Sequence, residues 1–152
     1  MINRRHVREI VLQSLYALKQ SGDTVQYITD SIIKEELGTE KEARRFAEKL
    51  FFKTLEQESE LDEVIIKHIK NWEIQRLALI DRLILKMSIC EFLHFEEIPT
   101  KVTINEAIEI AKKYSTAKSG RFVNGILDAS LDDLKASDKI NKKGRGLIDY
   151  SA

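Results

Sequence analysis

The side chains best suited to chemistry in this 152-residue chain are three histidines and one cysteine, and their spacing supports little chemistry. His6, His68 and His94 are scattered, and no Cys-x-x-Cys or His-x-x-x-His pattern brings ligands together at the separation a zinc site needs. Cys90 and His94 share a helix face at i and i+4, which in principle makes a thiol–imidazole pair. Cys90 lies in an apolar run, however, where a thiol stays protonated and inert. Gly120 and Gly125 are not followed by Gly-Lys-Ser or Gly-Lys-Thr, so no phosphate-cradling loop is formed. An enzyme is therefore not expected, and neither a metal nor a cofactor is implied.

Binding of nucleic acid is better supported. Arg4-Arg5-x-x-Arg8 and Lys112-Lys113-Tyr114-x-x-x-Lys118-x-x-Arg121-Phe122 mix cations with aromatic rings. Single-stranded RNA recognition needs both, cations for phosphates and rings or guanidinium planes for splayed bases. The net charge is zero, with 25 basic and 25 acidic residues, so only the distribution of charge is informative. Residues 1–22 carry four basic groups against one acidic, residues 111–122 four against none, and residues 35–64 five against ten. Two basic segments far apart in sequence could form one patch if the fold brings residues 4–8 within reach of residues 118–122. The alternatives are a solvated first turn, a solvated loop whose lysines suit a helix C-terminus, and a Phe122 that is only a core-edge ring.

The elements that must carry these residues are helical. One proline, six glycines and an apolar period near 3.6 predict an all-α protein in a single domain over residues 1–136. The first helix runs from Asn3 to Gln20, with Val7, Ile10, Val11, Ser14, Leu15 and Leu18 as its buried stripe and Arg5, Arg8, Leu12 and Tyr16 along one flank. Its arginines oppose the macrodipole at the N-terminus, which points to an anionic partner. A weaker helix over 24–37 turns Ile28, Ile32 and Ile33 inward and stops at Gly38. Thr39 with Glu42 predicts a capping box for a helix reaching Ser59.

A short helix follows over 61–71, with Trp72 among its apolar positions. From Ile74 to Phe95 the chain is apolar almost all round, with Asp81, Arg82 and Lys86 in a narrow polar strip, which predicts the buried central helix of a bundle. Thr103 with Glu106 predicts the cap of a sixth helix, and Ser119 that of a seventh, whose stripe is Val123, Ile126, Leu127, Ser130, Leu131 and Leu134. Phe122 falls at the rim of that stripe, and Gly125 suggests close approach by another backbone. Residues 137–152 form a basic tail without periodicity, expected to be flexible. A lone cysteine, no leader and no run of 18 apolar residues suggest a soluble cytoplasmic protein without a membrane span.

Four blocks together resemble the NusB family of bacterial antitermination factors. They are Arg-Arg-x-x-Arg-Glu-x-x-Leu-Gln-x-Leu-Tyr at 4–16, Ile80-Asp81-Arg82-x-Ile84-Leu85-Lys86, Ile98-Pro99-x-Lys101-Val102-x-Ile104-Asn105-Glu106-Ala107-Ile108, and Phe122-Val123-Asn124-Gly125-Ile126-Leu127-Asp128. The resemblance extends to about residue 135. It implies about seven helices in two packed three-helix-like bundles, and no covalent chemistry. The implied function is binding of boxA RNA together with NusE, a ribosomal small-subunit protein, within an RNA polymerase antitermination complex that serves ribosomal RNA operons. The free protein would be a monomer or a homodimer. Matched position by position, Arg4, Arg5, Arg8, Lys118, Arg121 and Phe122 would contact RNA, while Tyr16 and Asp81 would face NusE. Lys118 stands where many relatives have an acidic residue, and His6 interrupts the arginine motif. The fold also occurs as the RNA-binding domain of a ribosomal RNA cytosine methyltransferase, but no catalytic motif follows here. A purely structural helical adaptor is the remaining alternative.

Overall fold

The computed structural model describes residues 3–69 and 77–151, with side chains described as far as residue 148. Among these residues there are seven helical stretches, a short 3-10 helix and no strand. They fall into two compact units, one ending at Glu56 and the other beginning at Gln57.

In the first unit, α1 (Arg4–Ser21) starts where Asn3 caps it, its Oδ1 accepting from the His6 amide at 2.8 Å. It stops at Gly22, whose φ of 71° is the left-handed conformation a glycine adopts without a Cβ penalty. The predicted stripe is buried from Val7 to Leu15. Thr24 caps α2 (Val25–Ile28), which continues as a π-helical segment (Thr29–Lys34) and α3 (Glu35–Leu37). The wider turn explains a departure from expectation. Ile28, Ile33 and Leu37 are buried while Ile32 is half-exposed, because a π turn brings i and i+5 to one face where an α turn brings i and i+4. On the outer side of that turn, the Lys34 ammonium and the Gln26 amide hold the Asp30 carboxyl below the usual carboxylate range.

Helix α4 (Lys41–Glu56) begins later than the Thr39 capping box predicts, with the Glu40 carbonyl accepting its first bond from Arg44, and it ends before Ser59. Phe46, Ala47, Leu50, Phe51 and Thr54 form its buried face, and Leu55 lies at the rim. Burial of each large apolar side chain contributes about 1.5–3 kcal/mol, so these three stretches hold together chiefly through that face and the stripe of α1.

The second unit comprises α5 (Glu58–Ile66), α6 (Leu79–His94), α7 (Thr100–Tyr114) and α8 (Ala117–Ala136). Trp72 and Ile74 lie outside the described residues. Helix α6 is the hub foreseen for it, packing against α5, α7 and α8 and buried on nearly every side. Its one deeply buried cation, Lys86, is 3.2 Å from both Glu58 and Asp62 of α5. Helix α7 opens three residues before the expected cap. Pro99 precedes its first residue, and Thr103 is buried inside the helix, donating from Oγ1 to Glu91 Oε1 at 2.8 Å. Beyond α8, Lys142 is buried and its ammonium donates to the carbonyls of Glu91 and Phe95, at 2.9 and 2.7 Å. A cation at those carbonyls favours the C-terminus of α6. The Lys143 amide bonds to the Glu96 carbonyl, and a 3-10 helix (Gly144–Ser151) follows.

Candidate nucleic-acid interface

The arginine segment lies on the first two turns of α1; the first turn contains no acidic residue, and Glu9 follows Arg8 in the second. Arg4 and Arg5 are exposed, whereas Arg8 is only 4% exposed. The guanidinium carbon of Arg4 is 4.0 Å from the centre of the Phe46 ring, and that of Arg8 is 5.4 Å from the same ring. The negative face of that ring thus supplies part of the compensation that the helix-dipole argument assigned entirely to an external anion. Helical period placed Arg8 on the flank together with Leu12, but both turn inward, and only Arg5 and Tyr16 of that flank are exposed. Tyr16, at 40%, is open to contact from outside.

The second basic segment is organised by the start of α8. Ser119, expected to cap it, is inside its first turn. Thr116 is the cap, its Oγ1 accepting from the Ser119 amide at 3.0 Å. The Ser119 hydroxyl is thereby free to donate to Asp81 Oδ2 at 3.0 Å, and it also lies 2.8 Å from the Ser115 hydroxyl. Asp81 is only 7% exposed, and its other oxygen, Oδ1, is buried without a hydrogen-bond partner. A carboxylate in the first turn of α6 is favoured by the helix dipole, so this residue ties the N-terminal turns of α6 and α8 together.

Above this tie lies a groove of about 290 Å³, lined by Leu77, Ala78, Asp81, Thr116, Lys118, Ser119 and Phe122. Its polar floor is Asp81 and Ser119. Phe122 is half-buried at its edge, as the wheel predicted, and the Lys118 side chain is exposed. Arg121 is exposed and lines a separate hollow on the other flank of α8. The structure therefore groups Lys118, Phe122 and Asp81, and it sets Arg121 beside them on the ridge of the helix. Sequence reasoning missed Leu77, Ala78 and Thr116. The adjacent Ser115-Thr116 pair, ahead of a helical pattern, was the available signal for the cap.

Gly125 does not serve close packing. A Cβ built on it meets nothing within 4 Å, whereas one on Gly120 would lie 2.9 Å from Lys112 Cγ. Gly125 faces solvent and no backbone approaches it; the crowded glycine is Gly120, and what crowds it is the Lys112 side chain. His94 Nε2 is 3.1 Å from Glu60 Oε1, which places the imidazole within hydrogen-bonding distance of α5, and Cys90 is fully buried.

Among the described residues no helix is long and apolar enough to cross a membrane. The NusB family profile matches residues 5–132. The transcription antitermination protein NusB of Salinibacter ruber is 49% identical over 97% of this chain and 92% of its own length. Two solved structures share the fold. NusB of T. maritima is 34% identical with a TM-score of 0.78, covering 87% of this chain and 92% of that one. A NusB chain from a complex of the antitermination factors NusB and NusE with dsRNA is 25% identical, with a TM-score of 0.77, covering 86% and 96%. The match thus runs across almost the whole sequence, and the chain belongs to the NusB family.

Proposed function

We propose that this protein is a transcription antitermination factor that acts in the cytoplasm, binding boxA-type single-stranded RNA together with NusE and supporting processive transcription of ribosomal RNA operons within the RNA polymerase antitermination complex. The observation that carries the reading is Phe122, a half-buried ring at the edge of a groove with Lys118 on its rim and Arg121 on the adjoining ridge. A ring held in this way accepts a splayed base on its face while the cations neutralise phosphates. A continuous A-form duplex keeps its bases stacked and could not use the ring, so an unpaired strand is the better fit. Arg4 and Arg5 of α1 are the exposed cations of the other segment. Arg8 works from behind them, supporting the Phe46 ring on which Arg4 lies. Tyr16 is the exposed position for NusE on α1, and Asp81, in the other unit, acts on NusE binding through the turn it holds. The names of the curated relatives support antitermination, and a NusB–NusE–dsRNA complex of the same fold supports NusE and RNA as partners.

Fluorescence anisotropy with boxA RNA, with and without NusE, tests the reading. Phe122→Asp should weaken RNA binding by about five- to 150-fold and leave NusE binding near normal, since a stacked base is worth about 1–3 kcal/mol. Unchanged RNA affinity overturns the role of the ring, and equal loss of both partners marks a folding defect or a shared surface. Arg4→Ala with Arg5→Ala should lower RNA affinity and its salt dependence with helicity intact. Size-exclusion chromatography with and without the partners decides whether the free chain is a monomer or a homodimer.

A further inference from the structure

The packed helices α7 and α8 leave a polar seam on their outer side, of which the function above uses only Arg121 at one end. Two hollows lie along it. The larger, about 360 Å³, has Lys101 and Asn105 of α7 on one wall and Asp128 and Lys135 of α8 on the other, with Ile104 and Leu131 as apolar lining. The smaller, about 210 Å³, is lined by Lys112 of α7 and by Gly120 and Arg121 of α8. Ile108 and Asn124 line both, so the hollows adjoin end to end as one trough with those two side chains between them.

The trough carries cations at both ends. Lys101 and Lys135 bracket one end, Lys112 and Arg121 the other. At 1.5 Å per residue, the 11 residues from Lys101 to Lys112 and the 14 from Arg121 to Lys135 separate the pairs by about 16–21 Å. The stem of Lys112 lies against Gly120, where any larger side chain would meet it, so the missing Cβ makes room for this cation in the trough. Glu109, ion-paired with Lys112 at 2.9 Å, and Asp128 offset part of the charge. Between the cations lie two carboxamides, Asn105 and Asn124, each offering a donor and an acceptor in one plane.

Paired cations a short strand's length apart, with amides able to read base edges between them, suit a nucleic-acid strand better than an acidic peptide, which would use the cations and leave the amides idle. Continuity favours the same occupant. Arg121 is next to Phe122 in sequence and about 100° from it on the helix, so a strand leaving the Phe122 groove crosses Arg121 and enters the trough.

We infer that the α7/α8 seam is a second RNA-binding segment, which takes the unpaired nucleotides flanking the boxA core as they run from Phe122 across Arg121 towards Lys101 and Lys135. This rests on the RNA reading proposed above, and the test separates the two. The full chain, with NusE, is titrated with a boxA core oligonucleotide and with the same core extended by a few unpaired nucleotides at each end. Wild type should bind the extended RNA more tightly. Lys101→Glu with Lys135→Glu, both exposed positions, should weaken the extended RNA about tenfold, reduce its log–log salt slope by about 1.4, and leave the core RNA unchanged. Asn124→Ala should lower preference among flanking sequences more than it lowers affinity. Equal weakening of both RNAs, or of neither, overturns the inference, as does a double variant that loses binding to polyglutamate while keeping RNA. If wild type binds neither RNA, the RNA reading itself falls.

Discussion

Asp81 offers the sharpest test, because resemblance assigns it to the NusE surface while its surroundings make it a brace. Its Oδ2 accepts a hydrogen bond from Ser119, and only 7% of the residue is exposed. Removing it with Asp81→Ala forfeits a hydrogen bond to a charged group, about 1.5–3 kcal/mol, and a favourable dipole interaction of about 0.3–1 kcal/mol. Part of this is returned, since Oδ1 is buried without a partner and its desolvation cost disappears with the carboxylate. A net loss of about 1–2 kcal/mol remains, or a melting temperature lower by about 3–6 °C for a chain of this length. Ser119→Ala removes the same bond from the other side, so a double-mutant cycle should yield a coupling of about 1 kcal/mol. RNA affinity should fall in step, because Lys118 and Phe122 stand on the turn that loosens. Thermal melts followed by circular dichroism and paired titrations with boxA RNA and NusE read these quantities. A coupling near zero refutes the brace. If Asp81→Ala melts like wild type but no longer binds NusE, Asp81 is a direct partner contact and the reasoning from its burial is wrong.

The Lys86 cluster should respond asymmetrically. The Lys86 side chain is 3% exposed whereas Glu58 and Asp62 are 34% and 24% exposed, so Lys86→Met leaves Glu58 able to rehydrate and Asp62 with Arg82 at 3.5 Å, and should cost about 1 kcal/mol. Glu58→Gln with Asp62→Asn instead strands a buried ammonium and should cost about 3–5 kcal/mol in urea titrations; equal costs would contradict this. Lys142→Met should destabilise by about 1.5–3 kcal/mol and no more, because the Glu91 and Phe95 carbonyls keep backbone partners in Phe95 and Ile98. Limited proteolysis of the tail should accelerate in that variant, and an unaltered digestion rate would show that Lys142 does not anchor it. Gly125→Ala, with open space around the new methyl group, should stabilise by about 1 kcal/mol; a loss of RNA affinity in the stabilised variant would place a ligand directly over that turn.

Much of the architecture was legible from period alone. The stripes of α1 and α8 and the apolar wrap of α6 declare themselves because burying one face of a helix requires a repeat that the chain carries locally. Phe122 at the rim and the exposure of Arg4 and Arg5 followed from the same geometry. The hydroxyl residues misled for a common reason. Thr103 and Ser119 have the spacing and chemistry of caps, but their hydroxyls are taken by Glu91 and Asp81, carboxylates supplied by another helix. No local pattern reveals a competitor that arrives through tertiary contact. The same holds for Arg8, buried over a ring from α4, and for Gly125 and Gly120, which differ only in what lies across from them. Sequence by itself determined which segments are helices, which faces are apolar and where cations and rings concentrate. Tertiary structure alone decided which polar groups are consumed inside the fold and which remain for RNA, because a hydrogen bond or a buried charge depends on its partner and not on its period.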